Sequence, residues 1–164
     1  VEPKGKKLSV LPRVGLQMEI PEKYDHVAWY GRGPWESYAD RKTGALVDRY
    51  AMSVDEFIFD YVEPQENGYR TDVRWFTLKD SEGIGLKIVG QPYVGFNVWP
   101  YTQENLAEAR HPFELARSGN LTVNVDYGQM GVGGDNSWGA RPHDEYELHP
   151  DKSYTYSFRV EPVK

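Results

Sequence analysis

Apolar and polar residues alternate along much of the chain, with the period of a strand that buries one face. The alternation is strict at residues 14–20, 121–127 and 154–160. Further strands are predicted at residues 26–30, 69–78, 85–91, 96–99 and 144–148, and the pattern of the second strict run extends to residue 129. Residues 40–60 contain only short apolar pieces, and their pattern supports no assignment.

One helix is predicted, at residues 102–110, because Thr102 is a good N-cap and the following residues favour or tolerate a helix. Frequent glycine and proline, 16 and 11 residues, punctuate the rest. The sequence therefore predicts an all-β antiparallel sandwich of two packed sheets with one short helix. At 164 residues we expect a single domain, residues 1–164, with a loose polar lead-in at residues 1–7.

Composition narrows the classes of function. The net charge is −6 with no basic stripe, so we expect no nucleic-acid partner. The chain contains no cysteine, which excludes disulfides and zinc–thiolate sites. Its apolar runs fall short of the ~20 residues that cross a bilayer, so we expect no membrane partner. A start at VEPKGKK without methionine is typical of an excised fragment, and the cellular compartment stays open.

The loop at residues 131–142, GVGGDNSWGARP, is the most informative segment. Gly133 and Gly134 permit positive φ, and Asp135 and Asn136 are suited to tight turns. Trp138 then places a large ring at the end of a polar loop. Two interpretations follow: the ring folds back over the core, or it stacks on the C–H face of a sugar.

Other candidate chemistry is less specific. Glycoside hydrolysis needs two flanking carboxylates, but 25 acidic residues single out no pair. We expect four carboxylates, Glu36, Asp40, Glu63 and Glu66, to make loop hydrogen bonds and to pair with Arg32, Arg41 and Arg70. The four histidines, His26, His111, His143 and His149, lack a metal-binding spacing. Asp135 and Asn136 supply only two oxygen ligands, so we predict no metal site in this chain.

Four blocks carry a family resemblance: LPRVGLQM at residues 11–18, YGRGPWESYADRK at 30–42, YVEPQENGYR at 61–70 and MGVGGDNSW at 130–138. In order and spacing they resemble the C-terminal domain of the large bacterial β-galactosidases of glycoside hydrolase family 2. The resemblance runs from about residue 8 to residue 160. The family often has a second aspartate where Asn136 stands, a departure that leaves Trp138 in register.

The resemblance implies a fold and an activity. The family domain is a β-supersandwich similar to galactose mutarotase, and this chain would be its C-terminal part, with a cut edge that self-association could cover. The parent enzyme would hydrolyse terminal non-reducing β-D-galactosides with retention. Its catalytic glutamates lie on a preceding TIM barrel, so we predict no catalytic residue in this chain and no activity for the chain alone. The parent's Mg and Na ions would equally lie outside it.

The resemblance also assigns Trp138 to the wall of the substrate pocket. Gly133, Gly134, Asp135 and Asn136 would be the loop that supports the ring, and the domain would pack against the barrel. Two alternatives stay open. One is a non-catalytic carbohydrate-binding module, which a platform of two or three exposed aromatic residues would favour. The other is a mutarotase-like sugar epimerase, which needs a histidine and a carboxylate beside a sugar pocket.

Overall fold

The strands form one antiparallel network, and the all-β prediction is confirmed. The computed structural model describes residues 9–164, so the predicted lead-in at residues 1–7 lies outside the described part. The strands are β1 (Arg13–Pro21), β2 (His26–Gly33), β3 (Leu46–Ser53), β4 (Arg70–Lys79), β5 (Gly85–Trp99), β6 (Asn120–Gln129) and β7 (Ser157–Val163). Their order in the sheet is β1-β6-β5-β4-β2-β3, and β7 also pairs with β5.

The long strand β5 joins two portions of this network. Its residues 85–91 pair with β7, whereas its residues 95–99 pair with β6, so β6 and β7 lie end to end along one edge of β5. The opposite edge pairs with β4, with register shifts between Arg70 and Trp75. The expected sandwich is therefore built from strands that share one hydrogen-bonded network, because β5 passes through both portions.

One contiguous core lies under both portions. Ile88, from the first half of β5, belongs to the same buried cluster as Phe96 and Val98 from its second half. The Phe76 and Phe96 rings stack with centroids 4.0 Å apart. Burial of the apolar side chains of this cluster stabilises the fold.

Two short α-helices complete the structure. The predicted helix is confirmed as α2 (Gln103–Glu108), and Thr102 Oγ1 accepts a hydrogen bond from the Asn105 amide at 3.1 Å. The second, α1 (Val54–Phe57), begins at a capping box made by Ser53 and Glu56. Within residues 9–164, the structure contains no helix of the length and apolar character that crossing a membrane requires.

Three strand predictions differ from the structure. The predicted strand at residues 144–148 is wrong: a 3-10 turn, Asp144–Tyr146, occupies it, and only Leu148 bridges to Leu11. The strands predicted at 85–91 and 96–99 are one strand, β5. The last strand begins at Ser157 instead of residue 154, because the Tyr154 ring turns aside to pack on Tyr127.

Candidate functional site

Trp138 lies at the surface, at the far end of the loop that follows β6. Its exposed fraction is 92 %, so in this chain the ring does not cover the core. The Trp138 amide donates to Asn136 Oδ1 at 2.8 Å, which forms the tight turn expected of Asn136. The backbone before the ring is therefore ordered locally while the ring itself has no neighbour that buries it.

The base of this loop is fixed by Asp40, from another of the four sequence blocks. The Val132 and Gly133 amides donate to the two Asp40 carboxylate oxygens at 3.1 and 2.6 Å. The Gly131 amide donates to the Tyr146 carbonyl at 2.8 Å. The loop is thus anchored by charge-assisted bonds at its start. The expectation that Asp40 makes loop hydrogen bonds is confirmed, whereas the contact with Tyr146 was missed because residues 144–148 were assigned to a strand.

The two loop glycines serve a different purpose from the one their sequence indicated. Neither Gly133 nor Gly134 has a positive φ; in this segment Gly139 has one, at 91°. A Cβ on Gly134 would overlap the Ala140 carbonyl oxygen, so glycine is needed there for close approach of two backbone segments. Asp135 contacts His143 Nε2 at 2.9 Å, and this contact raises the pKa of His143.

The remaining motif carboxylates have mixed outcomes. Glu36 pairs with Arg41 as expected, and it also accepts from the Tyr61 hydroxyl and from the Gly68 amide at 2.8 Å. Arg32 pairs with Asp72 instead of a motif carboxylate. Within residues 9–164 the Glu63 carboxylate has no ion pair.

Arg70 departs from the expected carboxylate pairing. It donates to the Gly68 carbonyl at 2.9 Å and lies 4.2 Å from the centre of the Phe57 ring. No carboxylate of the described residues pairs with it, and burial lowers its pKa to about 10. The buried guanidinium is therefore held by carbonyl groups and ring faces.

Arg13 lies between two carboxylates in a polar cluster beneath the sheet. Its Nη2 is 2.6 Å from Glu66 Oε2 and its Nη1 is 3.2 Å from Asp126 Oδ2. Glu66 also accepts from Asn97 Nδ2 at 2.7 Å. Neither Asp126 oxygen nor the Tyr69 hydroxyl makes a hydrogen bond of acceptable geometry to the described residues. Burial raises the pKa of both carboxyl groups to about 7, against the opposing effect of Arg13.

Among residues 9–164, one group of side chains has the spacing of metal ligands. Asp144, Glu147 and His149 bring three possible ligand atoms within 4.8 Å of one another. Asp135 and Asn136 do not converge on one point, since one contacts His143 and the other caps the turn at Trp138. The loop oxygens therefore do not fit a hard cation.

Sequence comparisons identify the relatives of this chain. A family model described as "Beta galactosidase small chain" matches residues 1–160. A β-galactosidase of Priestia megaterium is 43 % identical over 153 residues, which are 93 % of this chain and 15 % of that protein. One of Halalkalibacterium halodurans is 41 % identical over 161 residues, 97 % of this chain and 16 % of that protein.

A third relative, a β-galactosidase of Streptococcus thermophilus, is 38 % identical over 153 residues, 93 % of this chain and 15 % of its own length. The chain thus spans about 15 % of the length of these relatives. The aligned region covers 93 to 97 % of the chain itself. From the family model and these identities, the chain belongs to the β-galactosidase small-chain family.

Proposed function

We propose that this chain is the C-terminal part of a family 2 β-galactosidase that hydrolyses terminal β-D-galactosides with retention. The region shapes the substrate pocket through Trp138 and packs against the catalytic barrel. The observation that carries the proposal is the position of Trp138, a 92 % exposed ring on a loop whose base is fixed by Asp40. An exposed ring on a fixed loop is suited to stack on a sugar that another domain holds.

The apolar surface around β3 supports the packing of this chain against further parts of the parent. Leu46 and Val62 are exposed, and Trp35 and Phe59, exposed as well, line a groove with Ala51 and Met52 of β3. Such a patch on one side of a domain is typical of an interface. The barrel is one candidate for the partner, and a second copy of the parent is the other.

The catalytic groups and ions belong elsewhere in this proposal. Retaining hydrolysis uses an acid and a nucleophile about 5–5.5 Å apart, and we place both on the barrel. The Mg and Na ions of the parent are assigned outside this chain, because the oxygens of the Trp138 loop do not converge.

A carbohydrate-binding module is the second candidate, and one observation favours it. Trp35 is 74 % exposed and shares a surface depression with Asp40, the residue that anchors the Trp138 loop. Two exposed tryptophans on neighbouring motifs could act as one platform. The epimerase alternative has less support, because the His143–Asp135 pair is on the surface of the loop and not in a cavity.

The test is Trp138→Ala in the full-length enzyme, with Trp35→Ala as a matched control. An aromatic contact contributes about 0.5–1.5 kcal/mol beyond buried area, so Trp138→Ala should weaken sugar binding roughly threefold to tenfold. The melting temperature should barely change, because the ring is exposed. Steady-state kinetics and melting curves are measured for both variants.

Three results would count against this role. Unchanged kinetics in Trp138→Ala would remove the pocket role. A large drop in melting temperature that accounts for the kinetic loss would make the ring structural. An equal loss of sugar affinity in Trp35→Ala would favour the two-tryptophan platform of a binding module.

A further inference from the structure

A cleft whose lining does not include Trp138 lies where β4 and β5 depart from regular pairing. Between Arg70 and Trp75 the register of β4 shifts against β5. The cleft that opens there is lined by Ala39, Lys42, Tyr69, Thr71, Asp72, residues 91–95, residues 127–129, Thr155 and Tyr156. We call it the tyrosine cleft. Its volume of about 340 Å³ is in the range of small-molecule sites.

Two tyrosine rings stand half exposed in this cleft. Tyr93 lies beneath the Arg74 guanidinium, 4.4 Å from the ring centre, and Tyr127 packs on Tyr154 at 5.1 Å. Each ring is therefore held on one side while a large part of it stays accessible, 47 % for Tyr93 and 45 % for Tyr127. Fixed, accessible rings favour contact with the C–H faces of a ligand.

Polar groups suited to neighbouring hydroxyls line the same cleft. Asp72 Oδ2 contacts Arg32 and Lys42, which leaves Oδ1 without a partner among residues 9–164. Gln91 accepts from the Ser157 hydroxyl at 3.1 Å through Oε1, so its amide nitrogen stays available as a donor. A carboxylate oxygen and an amide nitrogen are groups that hold sugar hydroxyls.

The backbone at Asp72 is unusual and lies at this cleft. Asp72 has a φ of 54°, and among residues 9–164 it is the one non-glycine residue with a positive φ. This region is unfavourable for residues with a Cβ, and aspartate tolerates it better than most. Such conformations persist where the surrounding structure imposes them, and they concentrate at ligand sites. Asp72 thus combines backbone strain with an unused carboxylate oxygen.

The groups that stay accessible indicate the class of ligand. The charged groups are engaged, because Asp72 pairs with both Arg32 and Lys42 and the Arg74 guanidinium lies on the Tyr93 ring. Accessible rings and unused hydrogen-bonding groups match a polyhydroxylated molecule. We propose that the tyrosine cleft binds a neutral saccharide through the rings of Tyr93 and Tyr127 and the carboxylate of Asp72. This site is separate from Trp138 and does not depend on the function proposed for that residue.

The test follows amide resonances of the ¹⁵N-labelled 164-residue chain during titration with lactose, maltose and cellobiose. At least one disaccharide should give saturable shifts at residues 91–95 and 127–129. Because few groups contact the ligand, the dissociation constant should be about 1–10 mM. Tyr93→Ala and Asp72→Asn should each raise it at least about fivefold, the fold-change that removal of one contact typically gives.

One control separates this site from the rest of the surface. Phe113→Ala removes another exposed aromatic ring, which does not line the cleft, and should bind as the wild type does. Circular dichroism checks the fold, and Asp72→Asn keeps a residue that tolerates positive φ. The proposal is overturned if no disaccharide gives saturable shifts, if shifts are confined to residues 131–139, or if folded Asp72→Asn binds with wild-type affinity.

Discussion

Individual polar residues of β6 differ most from what their pattern indicated. Thr122, Asn124 and Asp126 alternate with apolar residues and would face water on a strand with one buried face. All three are buried. Thr122 donates to the Tyr101 carbonyl at 3.0 Å and Asn124 donates to Asn97 at 2.7 Å. Alternation cannot distinguish a solvated polar face from a buried polar network, because side-chain partners from distant strands decide between them.

Asp126 makes stability depend on pH in this network. Burial raises its pKa to about 7 in the folded chain, whereas an unfolded aspartate has a pKa of about 3.9. Between these values the folded chain holds a proton that the unfolded chain has lost, so the free energy of unfolding falls as pH rises. We expect Asp126→Asn to remove much of this fall between about pH 4 and 7, by up to a few kcal/mol.

Urea unfolding of both proteins at several pH values measures the difference. Asp48→Asn is the matched control, because Asp48 is exposed and bonds only to the next amide, that of Arg49. It should keep the wild-type dependence. If the free energy of unfolding of the wild type and of Asp126→Asn changed with pH in parallel, the prediction would be wrong. Arg13 would then stabilise the deprotonated Asp126 carboxylate enough to cancel the effect of burial.

At the scale of elements, β5 packs so closely on Tyr69, the residue before β4, that one position excludes a methyl group. A Cβ at Gly95 would overlap the hydroxyl and ring of Tyr69, which is fully buried. Gly95→Ala should therefore cost about 3 kcal/mol, the upper part of the usual range for overpacking. Chemical unfolding, with amide spectra to check the fold, measures the loss.

Gly128 provides the matched control in the adjacent strand β6. A Cβ there would meet nothing within 4 Å, and its φ is not positive. Gly128→Ala should leave stability unchanged or raise it by up to about 1 kcal/mol, because alanine restricts the unfolded chain. Equal effects of the two substitutions would show that the Tyr69 ring can move, which the tight packing argument forbids.

The strands found from the sequence are those with a clear run or alternation of apolar residues. β1, β2, β4 and β6 follow their predicted positions closely. β3 was missed because most of its residues are exposed at the sheet edge, so Leu46–Ser53 shows no alternation. The helix α1 was missed because its four residues are fixed by a local capping box and not by periodicity.

The sequence predicted one of the two proposed binding sites and not the other. The Trp138 loop was found because a rare cluster of residues is contiguous in the chain. The tyrosine cleft was not, since Asp72, Tyr93 and Tyr127 come from three strands and meet only through irregular pairing. Aspartate is uncommon in strands, and Asp72 inside the predicted strand at residues 69–78 is the signal that could have indicated it.

At the scale of the whole molecule, the chain accounts for about 15 % of the length of its relatives. Its surfaces are consistent with a part of a larger assembly, with the Trp138 ring exposed at one loop and apolar side chains exposed beside β3. Within the described residues, the carboxylates of the sequence motifs are largely engaged by neighbouring groups. Glu36 is engaged by Arg41, Tyr61 and the Gly68 amide.

Glu66 and Asp126 are the two carboxyl groups with the perturbation that a catalytic acid needs, because both contact Arg13 and both have a pKa raised to about 7. Asp126 is fully buried, however, and Glu66 is occupied by Arg13 and Asn97. A sugar cannot reach the first, and general acid catalysis requires contact with the leaving oxygen. We therefore expect the isolated chain to show no turnover of a chromogenic β-galactoside. Activity that copurifies with the chain and disappears in Glu66→Gln would overturn this prediction and move part of the catalytic machinery onto this domain.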